Sequence, residues 1–383
     1  MILIKGGTVH DGTGKILENT DILIEGKIIK KIDKSIEVSS DVEIFDARGK
    51  VVFPGFIESL NIWGCKGPGW GDDDLKEASD PITPEMNVVY SFDQDSMMFQ
   101  RVFEYGVTSA GITPSTSNVL GGYAAVFKTY GEHPYEMLVK ENVGMVASIT
   151  PETKKVYGSR NTCPMTRMGA FSILKEAITK ALSYKKDENK DYDSKSDALQ
   201  KLINGEVPLL VNCNTKSEMD AIELALKDFP IDVVFTGAFG VNENTGKIIK
   251  NKFSVILGDL TSAMSSVNSN VDFEGIKKLI ENGVDIAISS CGDNGSSGKE
   301  SLLWNAILCY KYGLKSDDVL RMITSIPAKI LGVDNRIGSI EVHKDADIVI
   351  WTGNPIETYN ARVEATFING ENILNSRRVE SCW

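Results

Sequence analysis

Few side chains in this sequence can do chemistry in groups. Of 383 residues only three are histidine, His10, His133 and His343. Any mechanism that needs a cluster of imidazoles is therefore nearly excluded. Six cysteines are scattered without a CxxC spacing, which reads as reduced thiols in a reducing compartment. Cys65, Cys213 and Cys291 fall near strand ends, where a thiolate would be a good soft-metal ligand. The acidic run Asp72-Asp73-Asp74 beside Trp70 reads as a solvated loop rather than an oxygen-ligand site. Gly295-Ser296-Ser297-Gly298 before Lys299 lacks the spacing of a phosphate-cradling loop, and no Ser/His/Asp set can be assembled.

The elements that must position these groups fall into two kinds. Residues 1–50 alternate as strands, with Asp21–Glu25 and Ile28–Ile32 forming a hairpin about Gly26-Lys27. The C-terminal stretch 336–383 is also β-rich, through Ala346–Trp351 and Val363–Ile368. Neither end can bury a core alone, so 1–50 and 336–383 are expected to pair into one composite β-sandwich. The middle, 51–335, alternates apolar strands with helices, with helical patterns expected at 96–105, 217–227, 273–282, 299–311 and 316–325. Strands apolar on both faces belong to a parallel sheet covered by helices, and repeated βα units of this length favour a TIM-type barrel. The fold class is thus α/β, a TIM-type (β/α)8 barrel with a sandwich built from both termini. The charge run Lys185–Lys195 reads as a solvated helix end or loop.

Composition bounds the partners. Hydrophobic residues at 42% and charged residues at 25% describe an ordinary globular chain. Forty-one basic against fifty-three acidic residues leave a net charge of −12, which argues against nucleic-acid binding. No run of 18 apolar residues crosses a membrane, and MILIKGGTVH reads as a strand and turn rather than a signal peptide. A cytoplasmic location is expected.

Ordered motifs run along almost the whole chain. They include Ile4–Val9, Pro54-Gly55-Phe56-Ile57-Glu58, Ser79–Pro84, Gly106-Val107-Thr108, Asn118–Gly122 and Tyr157-Gly158-Ser159 with Thr166–Gly169. The most specific is Pro327–Gly332 running on to Arg336–Ile340 and Lys344–Asp347. On these residues the sequence resembles the amidohydrolase superfamily, in its imidazolonepropionase-like branch. The resemblance implies a metal-bearing barrel flanked by a sandwich, hydrolysis of cyclic carbon–nitrogen bonds, and a homodimer.

The family's metal ligands, however, do not carry over. Where the family has His-x-His after the Pro-Gly turn, the matching positions are Leu60 and Ile62, which alternation would aim into the barrel mouth. Asn212-Cys213-Asn214 stands where a second His-x-His is expected, Thr236 in the place of a histidine, and Cys291 in that of the last-strand aspartate, with Asp293 two residues on. A bridging carboxylate would fall between Ser148 and Glu152, with Glu152 the candidate. Cys213 should point away from the mouth. Cys291 should face it, but a nucleophilic thiolate needs a base or a positive neighbour. Cys291 and Asp293 are thus only weak catalytic candidates, and no metal or other cofactor is expected.

The expected pocket is lined by Leu60, Ile62, Asn212, Asn214, Thr236, Cys291 and Asp293. The three neutral polar residues are either polar fillers left where a metal was lost or a donor and acceptor set for a small uncharged polar ligand. Asp259 is a further loop aspartate near them, and Arg167 is expected to hold a helix start beside the mouth. The functional expectation is a catalytically degenerate homologue with a scaffold or ligand-binding role. The alternative is an active cyclic-amide hydrolase with a non-standard or metal-independent site.

Overall fold

The computed structural model describes residues 1–65, 74–96, 99–186, 191–260, 271–290 and 299–374. The first sheet takes strands from both ends of the chain. Its N-terminal members are β1 (Ile2–His10), β2 (Ile16–Glu25), β3 (Ile28–Asp33), β4 (Glu43–Asp46) and β5 (Val51–Pro54). The second sheet comprises β6 (Phe56–Asn61), β7 (Val107–Ile112), β8 (Leu120–Lys128), β9 (Leu138–Ser148), β10 (Leu209–Cys213), β11 (Val233–Gly237), β12 (Ser254–Leu257) and β13 (Ile286–Ile288). The chain then returns to the first sheet as β14 (Ile348–Trp351), β15 (Val363–Ile368) and β16 (Glu371–Asn372).

The first sheet runs β16-β15-β14-β5-β1-β2-β3, with β4 beside β1. Its termini meet where β5 pairs antiparallel with β14 and parallel with β1. Ile4, Ile22 and Ile24 from one end share a cluster with Ile348, Ile350 and Phe367 from the other. The boundary expected at residue 51 therefore moves. Val51–Pro54 belongs to the sandwich sheet, and the chain crosses to the barrel at Gly55. A β-carbon there would lie 1.9 Å from Thr108 Oγ1, so only glycine permits the close passage.

The second sheet is a TIM-type barrel in the order β13 to β6. One strand departs from eight repeated βα units: β8 is antiparallel to both β7 and β9. The connection 113–119 is too short for the crossover that a parallel strand needs. Five helical segments were expected. Those over 217–227, 273–282, 299–311 and 316–325 appear as Lys216–Leu226, Phe273–Glu281, Ser301–Lys311 and Ser316–Met322. Within 96–105 the described residues instead hold a 3-10 turn, Val102–Tyr105. Among the described residues, no helix is long and apolar enough to cross a membrane.

Inside the barrel, Val146, Leu210, Val234, Ile256 and Ala287 form one apolar cluster with Ile326, Ile330, Leu331 and Ile337. The segment around the short helix Ser325–Ile330 thereby plugs the end where the parallel strands begin. The alternate residues Leu209, Val211 and Cys213 pack outward against Met219 and Ile222. That alternation leaves the upper inner positions to polar side chains.

Candidate functional site

Register places Ser148, Asn212, Thr236, Ile256 and Ala287 side by side along β9 to β13. Asn212 lies between the outward-packed Val211 and Cys213, so its amide occupies the inner face above Leu210. β11 ends in Gly237 with φ +75°. A β-carbon at Gly237 would sit 2.7 Å from Asn214 Oδ1 and 3.7 Å from Asn212 Oδ1. Glycine thus supplies a left-handed turn and room for two converging amide oxygens. Asn212, Asn214 and Thr236 are brought together at the mouth, as barrel geometry requires.

Asn214 is held by its backbone. Glu218 Oε2 accepts from Asn214 N at 2.8 Å and Thr215 N at 3.1 Å, while Thr215 Oγ1 accepts from Glu218 N at 3.3 Å. This capping box opens the helix Lys216–Leu226. Gly240 N donates to Asn214 O at 2.8 Å from the far side. Asn212 Oδ1 is buried and meets no hydrogen-bond donor among the described residues.

The neighbouring polar and charged groups are engaged with one another or with other parts of the chain. Ser148 Oγ lies 3.1 Å from Thr150 Oγ1 and 2.9 Å from Thr153 Oγ1, a buried hydroxyl cluster. Glu152, the candidate bridging carboxylate, does not join it: its half-exposed side chain faces Lys76 at 3.8 Å. Asp259 is buried and accepts from Asn305 Nδ2 at 3.2 Å. Arg167 NH1 donates to Ser217 Oγ at 2.9 Å, tying together the starts of two helices.

Leu60 and Ile62 part company. Leu60 packs in the inner cluster, but Ile62 packs against the outer one, contrary to the expectation that both point inward. The cause is Asn61. Its Oδ1 accepts from Ile62 N at 2.7 Å and Trp63 N at 2.9 Å, so the strand turns before alternation can place residue 62. Cys213 is buried on the outer side, and burial pushes its thiol well above the ordinary range. Cys65 is buried in the outer cluster. Cys291, Asp293, Trp70, Asp72, Asp73 and the segment 295–298 lie outside the described residues.

Glu58 is the buried group that sequence reading left unassigned. Ser290 N donates to its Oε1 at 2.9 Å and Ser290 Oγ to its Oε2 at 2.5 Å. Burial nevertheless raises its carboxyl to about 7. A glutamate inside the otherwise uncharged run Phe56–Asn61 was the available signal.

The described donors of the mouth suit a resident metal poorly. Leu60 offers no lone pair, Asn and Thr oxygens are weak neutral donors, and a catalytic zinc needs three protein ligands. Among the described residues, no three His, Cys, Asp or Glu side chains come together as a metal site. His10 stacks on Phe53 at 4.9 Å with Nδ1 3.4 Å from Asp317, in the sandwich sheet. His133 precedes the turn Pro134–Met137, and His343 occupies a turn with φ +76°.

The amidohydrolase family model matches residues 234–373. A solved structure of an amidohydrolase from Thermotoga maritima MSB8 is 30% identical, covers 97% of this chain and 99% of its own, and superposes with a TM-score of 0.90. The amidohydrolase tasK of Hapsidospora irregularis is 26% identical over 90% of this chain, which spans only 39% of that protein. A dihydroorotase of Thermoanaerobacter sp. (strain X514) is 51% identical over 57 residues, 15% of this chain and 13% of the enzyme.

Proposed function

Because the chain belongs to the amidohydrolase superfamily, we propose that it keeps the superfamily's binding mouth while lacking the means to hydrolyse through a metal. Hydrolysing an unactivated amide at neutral pH needs a water of lowered pKa or an activated nucleophile. The described mouth residues offer neither. Fold alone does not supply the function.

The mouth is instead a neutral recognition surface for a small uncharged polar molecule, of the kind of a cyclic amide or ureide. One observation carries this reading: the buried Oδ1 of Asn212, which no donor of the described residues satisfies. A buried acceptor left unmade costs about 1–3 kcal/mol, and a ligand N–H placed between β10 and β11 would recover it. Asn214, whose backbone N donates to Glu218, and the Thr236 hydroxyl stand beside the same space. Leu60 closes one side with an apolar wall.

Ordered water is the competing occupant, since a polar recess can hold it. A thermal-shift screen of cyclic amides and ureides separates the two, run on the wild type and on an Asn212→Leu, Asn214→Leu variant. The proposal expects at least one compound to stabilise the wild type and leave the variant unmoved. If every compound acts equally on both, the mouth is a scaffold filled by water.

A further inference from the structure

The barrel is closed by side chains. Among the described residues β13 and β6 share no backbone ladder. Ser59 Oγ donates to Ile288 O at 2.6 Å, Ser289 Oγ donates to Leu60 O at 2.5 Å, and Ser290 donates twice to the Glu58 carboxyl. Asn61 Nδ2 donates to Ser290 Oγ at 3.1 Å, and the same amide's oxygen holds the turn at Ile62 and Trp63. Glu58 is therefore bonded at once to the closing strand and, through Ser290 and Asn61, to the first turn of the mouth. We propose that this seam is a proton-operated latch, tight while the Glu58 carboxyl is neutral and loosened, together with the adjoining mouth turn, when that proton leaves.

The charge environment supports a latch rather than a permanent ion pair. β13 presents Ser289 and Ser290 to Glu58, and β7 sets Ala110 opposite it. Charged groups on the packed helices are engaged elsewhere. Lys329 on Ser325–Ile330 pairs with Asp285 at 2.6 Å, Asp317 faces His10, and Arg321 faces Asp318 at 4.0 Å. Lys311 ends its helix in solvent, and Asp259 takes Asn305. Burial dominates the Glu58 carboxyl, and among the described residues neutral donors oppose it: Ser290, Ser289 and the Leu60 backbone. In the neutral form the Oε2 and Ser290 Oγ contact joins two uncharged groups. In the ionised form a charge is buried with no cation beside it among the described residues, which is costly.

The folded carboxyl, raised to about 7, lies above its ordinary 4.5, so its stabilisation is full below about 4.5. It is lost as pH climbs from there to about 7, and the profile levels beyond.

Hydrogen exchange read by mass spectrometry, corrected for intrinsic rate, tests this between pH 4.5 and 8.5. The wild type is expected to show peptides over 56–62 and 284–290 opening about tenfold more per pH unit up to about 7, then levelling. Glu58→Gln should be flat over that window. Ser290→Ala removes a bond that favours the ionised form, so its levelling point should move to higher pH. An unchanged pH slope in Glu58→Gln, or a slope spread evenly over both sheets, overturns the latch. Should Glu58→Gln fail to fold, an unmoved levelling point in Ser290→Ala overturns it alone.

Discussion

The two ends of the barrel treat charge in opposite ways. At the end against the sandwich, Lys128 of β8 is 1% exposed and pairs with Asp347 and, at 2.8 Å, with Asp345. Arg336 reaches Asp345 at 2.8 Å as well, so two cations face two carboxylates and the cluster is balanced. At the other end, where ligands of such barrels bind, the described inner residues are mainly amides, hydroxyls and a leucine, with the carboxyls of Asp259 and Glu58 bonded to Asn305 and Ser290. Full charges hold the two sheets together at the first end, while the described mouth residues are mainly neutral hydrogen-bonding groups.

Variants at either end sharpen the contrast, and the largest effect belongs to the closed end. Lys128→Met leaves the buried Asp347 without its cation and Asp345 with Arg336 alone. It is expected to cost about 3–5 kcal/mol in denaturant unfolding. A loss under about 1 kcal/mol would mean that water reaches those carboxylates.

At the mouth, Leu60→His with Ile62→His is expected to cost roughly 3 kcal/mol by burying imidazoles in apolar surroundings. It should bind no zinc, because the two side chains leave β6 in different directions. Tight zinc binding by that variant, read by calorimetry, would show that the turn at Asn61 re-forms as a strand. Glu218→Ala removes the acceptor for two backbone donors and is expected to cost about 1–3 kcal/mol. It should also blunt any ligand-induced thermal shift, since Asn214 would lose its clamp. The smallest effect is for Asn212→Leu. Without ligand it is expected to change stability by less than about 1 kcal/mol, and in the stabilising direction, because an unmade buried acceptor disappears.

Much of this architecture could be read from residue patterns, for identifiable reasons. The ends of the chain are legible because Ile22, Ile24, Ile348 and Ile350 alternate at period two and need each other's cover. Asn212 and Thr236 could be placed at the mouth because their strands continue past Leu210 and Val234 without a break. Ile62 could not, since an asparagine side chain ends β6 one residue early. The reversed direction of β8 was hidden by a local sequence that only says strand. Its signal lay in the short connection before it, not in the strand. Glu58 escaped notice because its role depends on Ser290, 232 positions away in sequence, a pairing that only barrel closure creates.

Metal content of the purified protein tests the central claim most directly. Protein purified without chelators and measured by inductively coupled plasma mass spectrometry is expected to carry zinc, iron and manganese far below one equivalent per chain. Near-stoichiometric content of any of the three would contradict the account, and would place the ligands among residues that the neutral mouth leaves out.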